Sequence, residues 1–197
     1  MAKANPSLTK CLIGEARVNF PRLFTPEAFN GSEPHYQVTL SFPKEDTALY
    51  DKIQKAINEC KEKAAAMFGG KLPKNFNLPN IKDGDEDYES DGYAGLWTIK
   101  LKSKNKPELV KKATVMGKTQ LVPITDEDAL YAGCYCFASV TFFAYDTPTS
   151  KGISCWLNSV LKSRDGERFE GGSRENAEDV YASVMNDIEE ADYEEVF

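Results

Sequence analysis

The sequence predicts a mainly β chain, and three observations carry that prediction. Five stretches, 8–20, 35–42, 93–102, 131–146 and 152–161, alternate apolar and polar residues with the period of a strand. One stretch before the acidic tail, from Asp46 to Phe68, has helical spacing, and within the tail Ala177, Val180, Tyr181, Val184, Met185 and Ile188 have it too, as an acidic amphipathic helix would. Clusters of Pro, Asn, Gly and Asp punctuate the intervals. Five principal strands with one packing helix predict an OB-fold-like five-stranded barrel over residues 1–172, followed by an acidic C-terminal tail, 173–197.

The elements follow in order. In 8–20, Cys11, Ile13 and Val18 face inward, and Gly14 marks a bulge or sharp bend. Pro21, Pro26, Asn30-Gly31 and Pro34 predict a loop before the second strand, His35 to Phe42. Asp46 or Thr47 caps the helix, whose apolar stripe includes Leu49, Ile53, Ile57, Cys60 and Ala64, and Gly69-Gly70 ends it. Residues 71–92 read as loop. Between 103 and 130 only a short strand at Thr114 to Met116 is expected. The helix falls between the second and third strands, whereas the usual OB position is between the third and fourth.

Composition narrows the function. Apolar residues make up 41% of the 197, enough for a core. No apolar run approaches the ~20 residues of a membrane span, and residues 1–6 lack the apolar segment of a secretory signal. A cytoplasmic protein is expected. Five cysteines without a Cys-x-x-Cys pair, beside the single His35, predict buried thiols and no metal. No cofactor or small-molecule substrate is indicated, because no phosphate loop or nucleophile motif is present.

Charge is unevenly distributed. The net charge is −7, yet nine acids and no base follow Arg174. Residues 1–174 hold 24 basic against 22 acidic side chains, and six of those acids crowd into Asp83–Asp91. The remaining body is +8, the asymmetry of a polyanion binder with an acidic tail, although acidic patches also serve solubility.

Four features point to the partner. Around Trp97, the residues Thr98, Lys100, Lys102 and Lys104 fall on one face, and Lys106, Lys111, Lys112 and Lys118 follow. Such a stripe follows a phosphate chain, though lysines also protect strand edges. In Tyr131–Tyr145, one face holds Cys134, Cys136, Ala138, Val140, Phe142 and Ala144, a core pattern. The other holds Tyr135, Phe137, Phe143 and Tyr145 with Ser139 and Thr141, rings that either stack on unpaired bases or pack. The segment Arg17 to Phe29 alternates Arg17, Phe20, Arg22 and Phe24 at the rim of the groove. Tyr93 and Trp97 complete the candidate DNA contacts. The chain ends Asp192-Tyr193-Glu194-Glu195-Val196-Phe197, an acidic segment with a terminal aromatic carboxylate that suits a basic pocket on a partner protein.

The body-plus-tail layout resembles the single-stranded DNA-binding proteins of bacteria and T7-like phages. The stretches YAGCYCFASVTFFAYD and GISCWLNSVLKSRDGERFEGG resemble more closely a tailed-phage single-stranded DNA-binding protein family of enterobacterial phage type. That resemblance, over residues 8–172, implies an OB-fold, single-stranded DNA as ligand, a role in phage replication or recombination in the host cell cytoplasm, and a tail that contacts replication proteins or regulates binding. Two other readings compete: a Mg²⁺-dependent nuclease using the Asp83–Asp91 carboxylates, and a protein-interaction domain that mimics DNA. The loop setting of the carboxylates disfavours the first, and the +8 body disfavours the second.

Overall fold

The computed structural model describes residues 6–28, 31, 33–79, 81–87 and 91–169. The tail, including Asp192, Tyr193, Glu194, Glu195 and Phe197, lies outside the described residues, as does Phe29. The element order is β1 (Thr9–Glu27), β2 (His35–Pro43), α1 (Thr47–Ala65), β3 (Phe76–Asn77), β4 (Ile81–Asp83), β5 (Leu96–Ser103), β6 (Glu108–Val115), β7 (Lys118–Pro123), β8 (Tyr135–Asp146) and β9 (Lys151–Arg164).

One sheet runs in the order β4-β5-β2-β1-β8-β9-β6-β7, with β3 pairing β9. The five strands expected from alternation, β5-β2-β1-β8-β9, are its contiguous wall, and the four short or exposed strands are added at its ends. The wall curls until β5 meets β9, where the Cys155 thiol points at the Lys102 carbonyl, 3.8 Å away. No backbone ladder joins those two strands among the described residues, so the barrel remains an open sheet at that seam.

The inner face is apolar because alternation places small and branched residues there. Ile13, Val18, Leu40, Leu101, Cys136, Val140 and Phe142 are fully buried. All five thiols are buried and unpaired. Burial pushes the Cys136 thiol far above its ordinary range, with the Cys134 and Glu15 charges adding to the shift. The Asp46 carboxylate accepts from the Leu49 amide at 3.0 Å and starts α1. Leu49, Ile53, Ile57 and Cys60 then seal the inner face of β1 and β8. Gly69 and Gly70, both at positive φ, end the helix as expected.

Three expectations are corrected. The chain does not enter a loop at Pro21: β1 continues to Glu27, pairing with β8 through residues 9–17 and with β2 through 17–27. Irregular registers after Ile13, after Asn19 and after Arg22 let one strand serve two neighbours, and Pro21 and Pro26 fall within the last two. Residues 71–92 include β3 and β4. Residues 103–130 contain a full hairpin, turning at Met116-Gly117 with φ of 50° and 75°. That turn has the primed-hairpin geometry without the usual Asn-Gly sequence, and beyond the buried Leu109 and Val110 both faces of the hairpin are largely exposed, so no apolar alternation marked it.

Candidate nucleic-acid interface

Strand register assembles the outer face of β1, β2 and β5. Side chains directly opposite one another point the same way. One row crosses six strands: Arg164, Tyr135, Arg17, Ser41, Thr98 and Lys82. The next row is Asn19, Thr39 and Lys100, and a third is Arg22, Gln37 and Lys102. The result is a floor of small polar residues with arginines on one flank and lysines on the other. Two strand spacings, about 10 Å, separate the β1 arginines from Lys100 and Lys102 on β5. Asn19, Thr39, Ser41 and Thr98 are buried beneath their longer neighbours. The Asn19 amide donates to Ser41 Oγ at 2.9 Å, and its Oδ1 is buried without a partner.

Electrostatics sharpen the lysine flank. Lys100 and Lys102 are exposed and form no ion pair among the described residues. Partial burial, then the Lys102 and Lys82 ammoniums, hold Lys100 below the ordinary lysine range. Crowding of like charge over a polar floor is a site for an anion. Lys104 lies at the end of the stripe and pairs with Glu33.

The lysine stripe runs into an open groove at the β5–β9 seam, about 550 Å³ in volume, lined by His35, Lys102, Lys104, Phe143, Ser154 and Trp156. Trp156 is 42% exposed and leans on Phe143, ring centroids 4.4 Å apart and planes tilted by 31°. Thr141, opposite Trp156, accepts from the Asn158 amide at 2.9 Å and fixes the strand surface beside the ring. An exposed indole beside ammoniums can stack a base while its phosphates are neutralised.

The remaining candidates separate by position. Phe20 is 60% exposed at the β1 bulge, with φ of 46°, next to the arginine flank. Arg22 pairs with Glu27 at 2.8 Å. Arg17 belongs to the row but is held in place: Nε donates to the Gly133 carbonyl at 3.2 Å and Nη2 to that of Glu167 at 2.9 Å. Its guanidinium lies 4.1 Å from the Phe169 ring centroid. Tyr135 is half-buried with the Arg164 guanidinium 3.4 Å from its centroid. Phe137 is half-buried opposite Leu161, and Phe24 packs against the core with Lys106 5.9 Å away. Tyr145 sits at the far end of β8, its hydroxyl 3.2 Å from Ser150 Oγ and about 34 Å from Tyr135 along the strand. Trp97 is on the core side, stacked on Tyr50 at 4.8 Å and opposite in facing to the lysines. Tyr93 is half-buried in the turn that follows the acidic loop.

That acidic loop is occupied with its own geometry. Lys44 pairs with Asp83 and Asp85. The Asp83 amide donates to Asp87 and the Gly95 amide to Asp85, at 2.8 and 2.7 Å. Lys44 holds both the Asp83 and Asp85 carboxyls below their ordinary range. Among the described residues no three His, Cys, Asp or Glu side chains are grouped to hold a metal ion. No described helix is long and apolar enough to cross a membrane.

The family model of the Enterobacter phage Enc34 single-stranded-DNA-binding protein matches residues 9–194. The chain belongs to that family. A protein called p50 from Acyrthosiphon pisum secondary endosymbiont phage 1 is 32% identical over 191 residues, covering 92% of this chain and 97% of its own. The solved Enc34 protein in complex with single-stranded DNA is 26% identical, with a TM-score of 0.63 over 82% of this chain and 89% of that one. Bacteriophage T7 gp2.5 is similar in fold, with a TM-score of 0.50 and 19% identity, covering 89% of this chain and all of that one.

Within this member of the Enc34 family, the sequence reading missed two parts of the face. The polar floor and Lys82 become visible only through strand register. Trp156 was legible: in GISCWLNSVL, Cys155 and Leu157 face inward, which leaves Trp156 outward with Ser154.

Proposed function

We propose that this chain binds single-stranded DNA without sequence preference, laid across the β1–β2–β5 face and into the Trp156 groove. One observation carries the reading: two exposed lysines, without an ion pair among the described residues, stand over a small polar floor and lead to an exposed indole. Phosphates follow the lysines and bases stack on rings, so no base identity is read. Lys100, Lys102, Phe20 and Trp156 are the principal contacts, with Arg22 and Lys104 exchanging their carboxylate partners for phosphate. Arg17 and Tyr135 shape the rim. The protein acts by binding rather than catalysis, in phage replication or recombination within the host cytoplasm. The acidic tail, 173–197, competes with DNA for the cationic face and presents Asp192, Tyr193, Glu194, Glu195 and Phe197 to replication partners. A tethered anion acts at an effective concentration of order mM.

Titration of the full chain and of a form ending at Arg174 against labelled oligo-dT tests this. Binding that weakens with salt, and tightens at low salt when the tail is removed, is expected. Absence of binding to oligo-dT by either form overturns the reading.

A further inference from the structure

The β6–β7 hairpin stands apart from the face just described. Its root, Glu108–Lys111, ladders onto β9, but beyond Lys111 the two strands pair only with each other. The tip residue Met116 is 98% exposed, and its turn, with both residues at positive φ, holds it outward. Lys111 and Lys118 lie on one face of the ribbon and Lys112 on the other. None of the three is ion-paired among the described residues, and Glu108, at the root, is the one acid in 108–123.

An arm with cations on both faces fits a slot whose two walls are both anionic. The grooves of duplex DNA are such slots, and the major groove, about 12 Å wide and 8.5 Å deep, admits a two-stranded ribbon. From Lys111 to Met116 the arm extends about 17 Å, longer than the groove is deep. An apolar tip is the kind of wedge that opens a base step. A protein surface would not require cations on both faces. We propose that the arm engages duplex DNA adjoining the bound single strand, with Met116 pressed against a base step, so that the protein seats at single–double strand junctions. This rests on the single-strand reading above.

The test uses the full chain, oligo-dT, and the same oligo-dT with a duplex flank carrying 2-aminopurine next to the junction. Tighter binding to the flanked DNA and a rise in 2-aminopurine fluorescence are expected. Lys112→Ala with Lys118→Ala lowers the log–log salt slope on flanked DNA by about 1.8, two phosphate contacts at ~0.9 each, and leaves oligo-dT unchanged. Met116→Ala removes the fluorescence rise while circular dichroism stays the same. An equal loss of slope on oligo-dT assigns the arm to the single strand and overturns the proposal. Equal affinity for flanked and unflanked DNA overturns it while leaving the single-strand reading intact, and no binding to oligo-dT overturns both.

Discussion

The Trp156 indole rests against Phe143 at 4.4 Å and presents its other side to the groove that holds Lys102. The second tryptophan, Trp97, is stacked under Tyr50 on the core side. The two indoles therefore report different events. Trp156→Phe is expected to abolish most of the fluorescence quenching on adding oligo-dT, and Trp97→Phe to retain it. Trp156→Ala weakens binding by about 1–3 kcal/mol, the worth of one stacked base. Quenching that survives in Trp156→Phe would move the stack elsewhere.

Lys100 and Lys102 are expected to neutralise phosphates. Replacing both with alanine lowers the salt slope on oligo-dT by about 1.4, two contacts at ~0.7 each. An unchanged slope removes them from the path of the strand.

The depressed Lys100 gives a pH signature. Its ammonium is destabilised by partial burial and by Lys102 and Lys82, and a bound phosphate restores the charge. The complex then holds more protons than the free protein just below the ordinary lysine pKa of about 10.4. Affinity is full below the depressed pKa of Lys100 and falls as pH rises through it. Lys100→Gln is expected to flatten that fall, measured by anisotropy across the alkaline range.

Phe20 holds a left-handed backbone conformation while mostly exposed. Phe20→Gly relieves about 1 kcal/mol of backbone strain and deletes a ring beside the arginine flank. A raised thermal midpoint with weakened DNA binding is expected, and a raised midpoint with unchanged binding would take Phe20 out of the interface.

Gly133 has φ of 112°, and a Cβ there would lie 2.0 Å from the Glu167 carbonyl oxygen. Gly133→Ala is expected to cost at least about 2 kcal/mol in denaturant unfolding, with Arg17 losing its carbonyl partners.

The wall of the barrel was legible because β8 and β5 carry clean alternation, with Cys134 to Ala144 inward and Lys100 and Lys102 outward. The helix was legible from Asp46 and Gly69, whose side chains and backbone do at its ends what their chemistry favours. Position on the wall was not legible. Tyr135 and Tyr145 share a face in the sequence, yet one is capped by Arg164 and the other hydrogen-bonds in a turn. Arg17 read as a free cation because nothing in the sequence announces that residues 133 and 167 come back to it. Long-range register, not local pattern, decides such positions.

After β9 the chain folds back over the turn that precedes β8. The Tyr131 hydroxyl accepts from the Gly166 amide at 3.1 Å, the Phe169 amide donates to Ala132, and Arg168 lies over the Tyr131 ring. Residues 165–169 thus act as a buckle over the Arg17 corner. Where the protein is shortened decides what is learned. Ending it at Arg174 leaves the buckle in place, whereas ending it at Arg164 removes the partners of Arg17 and Gly133 as well, so a change in DNA affinity would then mix the loss of the proposed competitor with a loosened rim.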